Sequence, residues 1–312
     1  MNRRELLTGG AVTVAGLAVP QSMGNDDWYA GSKAADTAFP FSTHQIKFSL
    51  DDMMRDIENH EGRMLAAYPD PEGKVALIGA GFNLGVMKEI TRDADSDPYR
   101  FNGHARKEPS SEALWQMAGL HSSKLHEIQK RMEGHLEADQ QARPSVASRI
   151  LRRFSRRLAE EFSADITNTQ SRALLYVSSR QATYNAMAYS SDFANLTQSQ
   201  QMGMSELVFQ MGSNLEKFEK FLGKLNDPPV PSATPEEVRQ HWRDVQSELV
   251  DSAWFKTYHK RAVRVTAMMD PNYDFYNPAI AEAKVKELEN SMTPHADALG
   301  DKASAPGQSP TR

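Results

Sequence analysis

The sequence predicts a predominantly helical α+β protein, and three observations predict it. Apolar residues recur at helical spacing through most of the chain. One short apolar run near the amino end, Lys74 to Ile78, lies between turn residues and reads as a strand. A composition of 39% hydrophobic and 25% charged residues over 312 positions is enough for a buried core in one large domain or two smaller ones. The same composition removes classes of function. With no cysteine there is no disulfide framework, no zinc–thiolate site and no thiol nucleophile. No apolar run is long enough for a membrane-spanning helix, so stable membrane insertion is not expected beyond an uncleaved leader. A net charge of −5, from 36 basic and 41 acidic side chains, argues against nucleic acid as partner, because phosphate binding needs a basic surface.

Residues 1–22 have the layout of a secretory leader. Arg3 and Arg4 precede a weakly apolar run from Leu6 to Val19, as in twin-arginine export signals. The expected location is therefore outside the cytoplasm, periplasmic or extracellular. Residues 23–43, rich in Gly, Asp, Ser and Ala, read as a linker. Ser49 is a plausible helix cap, and Met53, Met54, Ile57, Met64 and Leu65 continue the helical spacing. The prolines of Tyr68-Pro69-Asp70-Pro71 end that helix. Glu72-Gly73 makes a turn into the strand, and Gly79-Ala80-Gly81 closes it, giving a small hairpin. Further helices are expected over 110–140, 145–187, 199–211, 214–225, 235–250, 256–269 and 278–290. The proline-containing tail from Ser291 onward reads as disordered.

Glu61 and Asp70 flank the Tyr68-Pro69 break. Two carboxylates held across a turn suit acid–base cleavage of a glycoside, although most such pairs are solvated surface charge. Asp93, Asp95 and Asp97 begin like a calcium loop, but Pro98 stands at its glycine position and His104 at its terminal glutamate, so a polar loop is preferred. His121 and His126 do not share a helical face, and no metal or cofactor is expected. Arg149, Arg152, Arg153, Arg156 and Arg157 alternate with apolar residues and read as a solvated cationic helix face, with an anionic surface as the other reading.

The segment His60 to Leu84 resembles the active-site region of phage-type lysozymes, glycoside hydrolase family 24. The matching residues are Glu61-Gly62, Tyr68-Pro69-Asp70, Gly73 and Ile78-Gly79-Ala80-Gly81. A second block, Val208-Phe209-Gln210-Met211-Gly212, is similar to that family's VFQMG. A third comprises Ser252-Ala253-Trp254-Phe255 and Arg261-Ala262-Val263-Arg264-Val265. Ala159 to Phe162 with Asp165 is a weaker fourth.

The resemblance implies a bilobed lysozyme-like fold, with a small β-hairpin in an amino-terminal catalytic lobe (44–90) and a helical carboxy-terminal lobe (151–290). A largely helical insertion would occupy 91–150, and a disordered tail 291–312. It implies an exported muramidase, a monomer that hydrolyses the bond between N-acetylmuramic acid and N-acetylglucosamine in peptidoglycan glycan strands. Glu61 would be the general acid, Asp70 the ionised partner, Arg261 a support for the acid, and Asn83, Phe209 and Gln210 sugar-binding residues. One departure stands out. The family's water-directing threonine is replaced by Leu77 or, counted strictly from Asp70, by Ala76. A lytic transglycosylase and a non-catalytic peptidoglycan-binding protein are therefore the alternatives.

Overall fold

The computed structural model describes residues 29–70, 74–90, 92, 97–141, 164–274 and 277–292. The expected leader, the Arg149–Arg157 helix, Asp93 and Asp95, and the tail beyond 292 lie outside the described residues. The chain is mostly helical with one small three-stranded antiparallel sheet, so it is a helical α+β fold. Among the described residues no helix is long and apolar enough to cross a membrane. The chain divides into two compact units, one of 1–42, 49–98 and 105–185, the other of 43–48, 99–104 and 186–312.

The first unit opens with helix α1 (Tyr29–Ala38), where a linker was expected. Ala35 and Phe39 are fully buried in the unit's core, which is why this stretch is ordered as helix. Arg180 fixes the exit from α1: its Nε donates to Phe39 O and its Nη2 to Phe41 O, both at 3.1 Å, and its guanidinium stacks 4.1 Å from the Phe41 ring. Tyr176 donates to Asp36 at 2.8 Å, and burial together with that carboxylate pushes its phenol up to about 12.

Helix α2 (Leu50–Glu61) is capped by Ser49, whose hydroxyl accepts from Asp51 N, and buries Met53, Met54 and Ile57. It ends earlier than the spacing of Met64 and Leu65 suggests. Gly62 takes a φ of 71°, donates to Glu58 O and turns the chain out of the helix. Met64 and Leu65 then begin strand β1 (Met64–Pro69), which pairs with β2 (Ala76–Gly79), and β2 pairs with β3 (Phe82–Asn83). The register Pro69↔Ala76 and Ile78↔Phe82 puts these positions on the core side, where Ala76, Ile78 and Phe82 join the apolar cluster. The pairs Tyr68↔Leu77 and Leu77↔Asn83 belong to the opposite face.

The expected 110–140 helix is two: α3 (Ser111–Met117) and α4 (Ser122–Gln141), broken at Gly119 with φ 75°. Trp115, fully buried, donates its indole N–H to His121 O across that break. Helix α5 (Asn168–Tyr189) covers the later part of the expected 145–187 helix, of which 145–163 lie outside the described residues. The bend just before α5 is fixed to β1, because Asp165 N and Ile166 N both donate to Leu65 O. The Asp165 carboxylate in turn accepts from Ala67 N at 2.7 Å and from both Nη atoms of Arg131. Trp115, Leu125 and Ile128 sit in the first unit's core, so α3 and α4 pack as part of it. Asp97 does not lie open in a polar loop; it forms a buried ion pair with Arg106.

In the second unit α6 (Gln198–Met211) is buried from Ser199 to Val208. A capping box of Thr197 and Gln200 starts it. A 3-10 turn, Gly212–Lys217, leads to α7 (Glu219–Leu225), and α8 (Pro235–Val250) begins on a second capping box, Thr234 with Glu237. Then come α9 (Ala253–Thr257), α10 (His259–Met268) and α11 (Ala281–Met292). Helix α10 packs on α6, α8 and α11. The approach to α6 is close at Gly203, where a Cβ would stand 2.7 Å from Met268 Cβ. The boundary between the units falls within α5, between Asn185 and Ala186. Segment 43–48 joins the second unit because Lys47 N donates to Gln201 Oε1. Segment 99–104 joins it because Asn102, at φ 56°, donates its amide to Met187 O and Ser190 O.

Candidate functional site

In the first unit the candidate residues are positioned by the ends of the sheet. Glu61 is the last residue of α2, half-buried, and its Oε2 lies 3.9 Å from where a Cβ at Gly81 would stand. Gly81 takes φ 95° in the β2–β3 turn, a backbone conformation that favours glycine, and the Glu61 carboxylate stands beside that turn. Asp70 follows β1 and organises the other turn. Its Oδ1 accepts from Lys74 N at 2.6 Å and Val75 N at 2.9 Å, while its own N–H donates to Val75 O. Those bonds take Lys74 and Val75 into the turn and start β2 at Ala76, later than the sequence suggested. Asn83 is held through its backbone carbonyl, which accepts from Ser111 Oγ, and through Oδ1, which accepts from Gly85 N. What its side chain offers a ligand is therefore its amide donors.

Strand register separates Ala76 from Leu77. Ala76 is buried on the core face, whereas Leu77 is half-buried on the opposite face with Tyr68 and Asn83 as cross-strand partners. Leu77 is the side chain that shares a face with the candidate sugar ligand Asn83.

In the second unit Phe209, Gln210 and Arg261 come together at the carboxy-terminal turn of α6. The Arg261 guanidinium lies 5.7 Å from the Phe209 ring centroid, and its Nη2 donates to Glu206 O at 3.4 Å. Arg261 and Arg264 are both buried on α10. Gln210 Oε1 is buried and accepts no hydrogen bond from the described residues. One group here escaped sequence reasoning. Glu206 is a fully buried carboxylate two residues before the VFQMG-like run, and only its position one turn ahead of Phe209 could have flagged it.

Among the described residues no group of three or more His, Asp or Glu is placed to hold a metal ion. His121 is spent on Ser123, and exposed His126 lies 3.7 Å from Glu112. Compared with protein-family models, curated proteins and solved structures, the chain matches none.

Proposed function

We propose that this chain is an exported enzyme that cleaves the glycosidic bond between N-acetylmuramic acid and N-acetylglucosamine in peptidoglycan. Glu61 donates the proton to the glycosidic oxygen, and ionised Asp70 stabilises the positive charge that grows on the sugar ring. The observation that carries the reading is the setting of Glu61: a half-buried carboxylate at a helix end, beside the Gly81 turn that joins β2 to β3. The resemblance of the Glu61–Gly81 segment to phage-type lysozymes adds to it. Half-buried Phe209 supplies an aromatic ring at the end of α6, with the buried Arg261 guanidinium 5.7 Å from its centroid. That second cluster also favours a second reading, a peptidoglycan-binding protein that holds glycan without cutting it.

The test is incubation of the purified protein with isolated sacculi. Wild type releases soluble muropeptides, and Glu61→Gln lowers the rate by about 100-fold or more with an unchanged melting curve, the size typical of a lost general acid. Binding with no release assigns the second reading. Release that persists in Glu61→Gln shows that another group is the acid.

A further inference from the structure

We infer that the acceptor in this cleavage is the substrate's own C6 hydroxyl rather than water, so that the chain leaves 1,6-anhydro-muramoyl ends. The inference rests on the proposed function and specifies its product.

A water that attacks a sugar carbon has to be held by two to four polar partners and relieved of a proton. The sheet offers poor terms for that. Glu61 stands against the β2–β3 turn and Asp70 lies in the β1–β2 turn, so β2 runs between the two carboxylates. On the face that carries Asn83, the β2 side chain is Leu77, which can neither donate nor accept. Asn83 has its oxygen bonded by Gly85 N and presents amide donors, and an amide cannot take up the proton that an attacking water must lose. Asp70 Oδ1 already accepts two backbone N–H bonds, at 2.6 and 2.9 Å, so this oxygen fixes the turn instead of gripping a water.

An internal hydroxyl needs none of these anchors. It is tethered to the ring it attacks, and the tether supplies the positioning that a bound water would need from the protein. An apolar side chain at position 77 then acts in its favour by keeping water away from the developing cation. The step balances with Glu61 alone as proton carrier. Glu61 gives its proton to the bridging oxygen as the C1–O bond breaks, and the bonding pair leaves with that oxygen. The C6 oxygen forms a bond to C1, and its proton passes to the Glu61 carboxylate, which returns to its starting state. No water is consumed, and the two products together have the mass of the substrate. Asp70 serves as the fixed negative charge beside the ring.

The experiment uses the full chain and sacculi in water enriched in oxygen-18, with mass spectrometry of the released muropeptides. The expected products are lighter than reducing-end muropeptides by one water and carry no heavy oxygen. Reducing ends labelled with oxygen-18 overturn the inference and leave the cleavage reading standing. No release by wild type, on sacculi that a control lysozyme digests, overturns the cleavage reading itself. Leu77→Thr places a hydroxyl on the same face and is expected to raise the labelled, reducing-end fraction at least about 10-fold. A folded Leu77→Thr variant that yields only anhydro ends removes Leu77 as the determinant.

Discussion

Both units bury polar side chains along a helix, but the first fastens its chain ends with two long cations, Arg180 and Lys107, whereas the second does so with glutamine amides. The first unit's cluster is built from Trp115, Ile78, Leu84, Leu125, Ile128 and Leu174. Arg180 serves the carbonyls of Phe39 and Phe41, and Lys107 donates to Ala38 O. In the second unit α6 buries Gln200, Gln201 and Ser205 among Met202, Met204, Leu207 and Val208. These amides bond backbone carbonyls at neighbouring chain ends: Gln200 donates to Met269 O and Gln201 to Phe193 O. From α8, Gln246 donates to Thr266 O. Both units thus satisfy the exposed carbonyls at helix ends and loops with side chains. They differ in where the donor comes from, and a helix such as α6 can be buried all round only because its polar residues have such work.

This contrast can be broken most sharply at Trp115. Trp115→Ala should cost the first unit about 3–5 kcal/mol, since a fully buried ring is lost. Hydrogen exchange should then quicken in β1, β2 and α4 while α6 stays protected. Equal loss of protection in α6 would mean that the two cores do not respond as separate units.

Next in size is Gly203→Ala, expected to destabilise by about 1–3 kcal/mol through overpacking, because the added carbon meets Met268 Cβ at 2.7 Å and Met269 Cε at 3.0 Å. Denaturant titration should show the loss, with exchange rising first in α6 and α10. An unchanged midpoint would show that the α6–α10 contact yields easily.

The smallest effect is expected for Asp165→Asn, about 1 kcal/mol at neutral pH, because half-exposed Arg131 is screened by solvent. Burial alone would raise the Asp165 carboxyl, but the Arg131 guanidinium and the Ala67 N–H more than offset it and hold the group below its ordinary 3.8. The unfolded chain therefore binds the proton first as pH falls. The stabilisation is complete above the unfolded value of 3.8 and is lost as pH falls through the lower folded value. Wild type and variant should converge in acid, and a gap that persists there would mean the aspartate acts through shape and not charge.

Part of the hairpin was legible because its punctuation is local. Ser49 caps α2 and Gly79 closes β2 through their own backbone, whereas the helix was read on to Tyr68-Pro69 and ends at Gly62. What was misread depends on distant partners. Met64 and Leu65 fit a helix as well as a strand over so few residues; Leu65 is settled by the bonds its carbonyl accepts from Asp165 N and Ile166 N. The alanines of α1 look like linker until Phe39 finds its core and Arg180 caps the exit. In the candidate site, the choice between Ala76 and Leu77 needed strand register, which composition does not encode. The burial of Glu206 depends on α10 covering α6, a packing that α6's own pattern does not announce.

The Arg180 clamp also sets a timetable. Arg180 Nε bonds a carbonyl 141 residues earlier in the chain. At a synthesis rate of about 5–20 residues per second, the segment around Phe39 emerges roughly 7 to 28 seconds before its guanidinium partner exists. During that interval Ala35 and Phe39 have no finished core to enter, and a chaperone can hold them first. The first unit is therefore begun early by the ribosome and closed late, when α5 arrives to fasten the opening of the chain.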